Sequence, residues 1–177
     1  LAPTVQAYYA AMLLRSRAVV VEHLQKQLRR TEDPALARLT EFAARLGETA
    51  LREPVTALAD HADPEVRVQV ARALGSFPHR ESVAALKRLI ADTAWPVRAQ
   101  AARSLGMIAD INTLPLVKAA LRDDVWWVRL RAALGLMRFG PVGRNALVEV
   151  GDSDPYAHAM AKMVLGLQPQ ALAEFAA

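Results

Sequence analysis

Apolar positions along this 177-residue chain follow two periods at once. The short one is helical: Val66, Val70 and Leu74 are spaced i, i+4, i+8, which sets them on one face of a helix. The long one is 31 residues, because the same stripe returns as Val97, Ala101 and Leu105, then as Val128, Ala132 and Leu136. Each stripe opens on a matching segment: Asp63-Pro64-Glu65-Val66-Arg67, Ala94-Trp95-Pro96-Val97-Arg98 and Val125-Trp126-Trp127-Val128-Arg129. A weaker copy, Asp154-Pro155-Tyr156-Ala157-His158 with Ala161 and Leu165, follows after 29 residues. Between the stripes, Val55, Leu86 and Val117 keep the 31-residue step as well. A repeat of this length predicts stacked helical hairpins, each a helix A, a tight turn and a helix B, none able to bury its apolar side alone. The expected fold is all-α, a right-handed superhelix of about four to five hairpins.

The remaining elements follow from local signals. Residues 3–30 read as one long helix, with Pro3 at its start and Val5, Tyr9, Met12, Leu13, Val20, Leu24 and Leu28 at helical spacing. Asp33-Pro34 opens a second helix running to about Leu46 and stopped by Gly47. An aspartate cap followed by proline suits a helix start, since the carboxylate accepts from free N–H groups and proline lacks one. The device recurs at Asp63-Pro64 and Asp154-Pro155. The A helices are expected at about 49–60, 80–91, 112–122 and 141–150, with Pro54 and Pro115 beginning or bending theirs. Gly47, Gly75, Gly106 and Gly166 each follow a leucine, where left-handed helix ends are expected. Gly140-Pro141-Val142-Gly143 reads as a turn and helix start. Residues 169–177 read as a lone helix, with Leu172 and Phe175 covering the last repeat. The chain thus divides into a long basic helix (1–30), repeats (31–167) and a C-terminal cap (168–177).

Composition alters this picture in few places. There is no cysteine, which excludes disulfides and thiolate metal sites. No apolar run reaches the roughly 18 residues of a membrane span. The formal net charge of +4 is all in residues 1–30, where Arg15, Arg17, Lys26, Arg29 and Arg30 face Glu22 alone. The remainder carries 17 basic and 17 acidic side chains. The basic helix is read as a solvated face, the alternative being a stretch beside a membrane anchor upstream. The chain begins at Leu1, so an upstream stretch is expected to have been removed; Tyr8 and Tyr9 keep the anchor reading open.

The order Asp, then Pro or Trp, then Val-Arg, then Ala and finally Leu-Gly resembles the HEAT-like repeat of the phycobilin-lyase type. The resemblance is strong across residues 50–140, weaker in 31–49 and 141–167, and absent in 1–30. It implies that an aspartate in the interhelix turn pairs with the arginine of helix B as a ladder through the stack. Asp92, Asp123 and Asp152 hold that place, each six residues before Arg98, Arg129 and His158. In the first copy His61 stands six residues before Arg67, flanked by Asp60 and Asp63. Members of the family include scaffolds, subunits that attach bilins and a di-iron hydroxylase, so the resemblance implies the fold and leaves the activity open.

Candidate chemistry lies on the other side of the B helices, which line the concave wall in solenoids of this kind. Gln69 and Arg72, Gln100 and Arg103, then Trp127, Arg131 and Arg138, and last Lys162, fall there. The four B windows hold eight basic residues and one acid, Glu65. A wall of one sign favours a partner of the other. Trp95, Trp126 and Trp127 lead into helix B; Trp126 is expected to pack between repeats and Trp127 to be exposed, with Tyr156 extending the ridge. Catalysis finds little support. His23, His61, His79 and His158 form no ligand motif, the His-Glu dipeptides of the hydroxylase members are missing, and no GxSxG, P-loop or GxGxxG occurs. The expectation is a non-enzymatic scaffold for an acidic protein partner, with no cofactor, metal or small-molecule substrate. Its location would be cytoplasmic, or at the cytoplasmic face of the membrane. The alternatives are a nucleic-acid-binding protein of the base-excision type, using Trp127, Asp124 and Arg131, and a bilin lyase-like subunit.

Overall fold

The computed structural model describes residues 3–30, 35–152 and 154–168, with side chains of the first helix from Arg15 onward. All regular structure among these residues is helical. The elements are α1 (Pro3–Leu28), α2 (Leu36–Leu46), α3 (Arg52–Thr56), α4 (Pro64–Gly75), α5 (Arg80–Leu89), α6 (Trp95–Ile108), α7 (Leu114–Ala119), α8 (Trp126–Met137), α9 (Gly140–Val148) and α10 (Pro155–Leu165). The B helices α2, α4, α6, α8 and α10 pack in chain order, and α3, α5, α7 and α9 each lie against the B helix that follows. With α1 against α2, five hairpins stand in a row among the described residues. The cap expected from Asp33-Pro34, the tail helix with Leu172 and Phe175, and the side chains of Val5, Tyr8, Tyr9, Met12 and Leu13 lie outside the described residues.

The stripes form the core. Val66, Val70, Leu74, Val97, Ala101, Leu105, Val128, Ala132 and Leu136 are all at most 2% exposed, and Val55, Leu86 and Val117 meet them from the A layer at 0%. Each buried leucine or valine contributes on the order of 1.5–3 kcal/mol through apolar burial. Alanines at the remaining inward positions (Ala71, Ala73, Ala102 and Ala133, all fully buried) let the B helices approach closely.

Glycine has a different use here from the one the sequence suggests. Gly47 does end α2 in the left-handed conformation (φ 63°). Gly75 and Gly106, by contrast, lie inside α4 and α6, and Gly166 ends α10 with φ −86°. A Cβ on Gly106 would come within 2.4 Å of the Gly135 Cα, and one on Gly75 within 2.8 Å of Ser104 Oγ. They are there because the neighbouring B helix touches their backbone. The left-handed residue that ends α6 is Ala109 (φ 52°).

The A helices are shorter than expected and partly 3₁₀. A 3₁₀ turn at Thr49–Leu51 leads into α3, one at Ile111–Thr113 leads into α7, and one at Ala120–Arg122 follows α7. Proline is the reason in the first case: Pro54 has no N–H to offer the Ala50 carbonyl four residues back. The Gln25 side chain on α1 donates to that carbonyl instead, at 2.8 Å.

That contact is one of several that fasten α1. Leu24 and Leu28 are buried. Arg17 pairs with Glu48 and also donates to the Leu46 carbonyl, while Arg29 pairs with Glu53 at 3.1 Å. Lys26 pairs with Glu22 at 2.7 Å. Much of the basic charge that the sequence concentrates in this helix is therefore answered by acids. No helix among the described residues is long and apolar enough to cross a membrane.

Candidate functional site

Position within the repeat separates two rows of arginine. The first lies at the interhelix turns, at the fourth residue of each B helix. Arg67 Nη1 donates to the carbonyls of His61 and Ala62 at 2.8 and 2.9 Å, while its Nε and Nη2 grip both oxygens of Asp92 at 2.7 and 2.8 Å. Arg98 repeats the pattern with the carbonyls of Asp92 and Thr93 and the carboxylate of Asp123 at 2.7 and 3.0 Å. Asp92 and Asp123 in turn accept from the Ala94 and Val125 N–H groups at 2.8 and 2.9 Å. One guanidinium so ties its own turn to the turn of the next repeat.

This corrects the pairing implied by the sequence. The carboxylate comes from the following repeat, 25 residues on, and the residue six before the arginine contributes its backbone carbonyl. A carbonyl is available whatever the side chain, so His61 serves Arg67 as well as Asp92 serves Arg98. The pattern changes at the third copy. Arg129 keeps its carbonyl bonds, to Asp123 and Asp124 at 2.8 and 2.9 Å, but Asp152 points to solvent beside His158 (3.3 Å). The Arg129 guanidinium lies 5.3 Å from the centre of the Tyr156 ring.

Electrostatics follow the geometry. The Arg67 hydrogen bond holds the Asp92 carboxyl below its ordinary range despite burial, and Asp92 raises Arg67 in return. Burial pushes Asp123 upward, but hydrogen bonds from Arg98 and the Val125 N–H outweigh it and leave the group lowered.

The second row faces out from the B-helix wall. Arg72 and Arg138 are exposed, and Arg103 and Arg131 half-buried. Burial lowers the Arg103 guanidinium, and the charges of Arg131, Arg72 and Arg138 lower it further. Four cations from three successive B helices thus share one field. Gln100 donates to Ser104 at 3.2 Å. Gln69 is only 8% exposed, and its amide is turned to Glu65 at 2.8 Å. It stands below the surface the sequence assigned to it, and Glu65 puts an acid on the wall. Lys162 on α10 is exposed.

The tryptophans are outside. Trp127 is 51% exposed, and Trp126, expected between repeats, is 43% exposed, the two rings standing nearly perpendicular with centres 4.8 Å apart. Trp126 is the first residue of α8, two before the first buried stripe position Val128, and that offset turns it from the stack. Trp95, in the same place on α6, is also 43% exposed, and Tyr156 is 71% exposed.

The histidines are spread along the stack in local roles. His61 Nδ1 accepts from the Asp63 N–H at 3.0 Å, and His79 caps α5 by accepting from the Glu81 N–H at 3.4 Å. His23 lies beside Gln27, and His158 beside the Val150 carbonyl. Asp124, one of the base-excision candidates, is bonded to Arg98 at 3.3 Å.

A family model of HEAT repeats matches residues 21–106, 51–138 and 88–167. The chain belongs to the HEAT-repeat family. The overlapping matches run through the stacked hairpins from the second half of α1 to the end of α10. The phycobilin-lyase type stays a resemblance. No curated protein matches the chain. HEAT repeats generally mediate protein–protein interaction, which makes a protein partner the coarse functional assignment.

Four kinds of contact were not read from the sequence. The inter-repeat carboxylate could have been found by subtracting the six-residue offset from the 31-residue period. The Tyr156 stack on Arg129, and the bonds of Arg17 and Arg29 to Glu48 and Glu53, leave no periodic signal.

Proposed function

We propose that this HEAT-repeat chain is a non-enzymatic scaffold whose B-helix wall binds an acidic segment of a partner protein. The observation that carries the reading is the shared field of Arg72, Arg103, Arg131 and Arg138. Cations that crowd one another gain from an anion laid among them. Trp127 supplies an exposed aromatic anchor at the edge of the same wall, a residue type enriched at binding hot spots. A cytoplasmic site of action goes with this reading. Arg17, Lys26 and Arg29 already have acidic neighbours, which favours a solvated first helix over a basic face held to a membrane.

The test is the double variant Arg103→Glu with Arg131→Glu, titrated calorimetrically with a glutamate-rich peptide. Helicity by circular dichroism should be unchanged and affinity should fall by at least tenfold. Unchanged affinity would dismiss the wall. A mobility-shift titration with an arbitrary duplex addresses the nucleic-acid alternative, which predicts tight binding with a steep salt dependence.

A further inference from the structure

We propose that the open end of the turn ladder, at Arg129, is a carboxylate-binding site for an acidic side chain of a partner protein, covered by Tyr156 until that partner arrives. The argument begins with the two closed rungs. Arg67 and Arg98 each present the Nε/Nη2 edge to a carboxylate and Nη1 to two turn carbonyls. Arg129 has the carbonyl half of that arrangement intact. On the other edge its Nε is buried and has no hydrogen-bond partner among the described residues, in a residue only 8% exposed. The guanidinium is thus held by its Nη1 bonds, and the Nε of the free edge is desolvated.

Neither nearby aspartate fills it. Asp152, in register with Asp92 and Asp123, is 94% exposed at its side chain. Asp154 is occupied at the start of α10, accepting from the Tyr156 and Ala157 N–H groups at 3.1 and 3.0 Å. The Tyr156 ring lies over the guanidinium, 5.3 Å from its carbon to the ring centre, on a residue 71% exposed. A cation–π contact at an exposed site is weaker than a bidentate carboxylate bond, so an incoming acid can displace the ring. Trp126, one helical turn before Arg129, stands exposed on the same helix. The occupant this chemistry selects is a glutamate or aspartate followed by an apolar residue. The site lies at the turns and stands independently of the B-helix wall.

The full chain, labelled with ¹⁵N, tests this through the Arg129 Nε–Hε resonance, identified by its loss in Arg129→Lys. A peptide of alternating glutamate and leucine should shift that resonance downfield and leave those of Arg67 and Arg98 in place. Tyr156→Ala, an exposed change that leaves the fold intact, should tighten binding about two- to five-fold, the converted value of an exposed cation–π contact. Arg129→Lys keeps the charge but has no fork, and should abolish the saturable part of the titration. An unmoved Arg129 resonance, or Tyr156→Ala without effect on affinity, overturns the proposal. So does an Arg129 signal that changes on Asp152→Asn in the free protein, because Asp152 would then be the occupant. Binding that survives Arg129→Lys but fails with Arg103→Glu and Arg131→Glu belongs to the wall, and also overturns it.

Discussion

The turn row and the wall row use the same side chain a few residues apart, with opposite results. At the turns, Arg67 and Arg98 are 13% and 16% exposed at their side chains, and each holds a carboxylate that is itself nearly buried. On the wall, burial weakens the hold of Arg103 on its proton, and the charges of Arg131, Arg72 and Arg138 weaken it further. The chain therefore uses arginine as a tie at the turns, where a carboxylate arrives in register, and as part of a shared positive field on the wall. Residue type alone does not separate the two roles; place within the repeat does.

The largest break in this contrast should come from Arg98→Ala. It leaves Asp123 buried without its bidentate partner and should cost about 3 kcal/mol in chemical denaturation. Arg129→Ala should cost less, about 2 kcal/mol, because it strands two carbonyls and no carboxylate. Acid sharpens the same point. Asp92 and Asp123 are lowered in the folded protein, against about 3.9 when unfolded. Their contribution is thus complete above about pH 4 and is lost as pH falls through their folded values. A thermal melting series should show a steep drop below that pH, with a shallower one in Arg98→Ala. The smallest effect belongs to the wall: Arg72→Gln, at an exposed position, should change stability by less than about 0.5 kcal/mol.

The stack was legible because its core obeys two simple periods. Val66 to Leu74 and their copies could be assigned to one buried face from spacing alone, and all nine are buried. Ends were harder to read. Gly75 and Gly106 look like helix stops in sequence, but what constrains them is a neighbouring backbone, and that is a property of packing. Trp126 shows the same limit, since hydrophobicity pointed inward while its place at the first turn of α8 points outward. On the wall, the arginines could be chosen from helical phase. The tie between Gln69 and Glu65, which takes that amide below the surface, depends on rotamers that phase does not specify.

The bare contact between Gly106 and Gly135 has a mechanical consequence. Where α6 meets α8, main chain rests on main chain, with no side chain between them to tilt or repack under load. Between α4 and α6 the corresponding place holds the Ser104 side chain against Gly75. The α6–α8 seam should therefore yield less under strain than the α4–α6 seam, so that Arg103 and Arg131, one on each side of it, keep a constant separation.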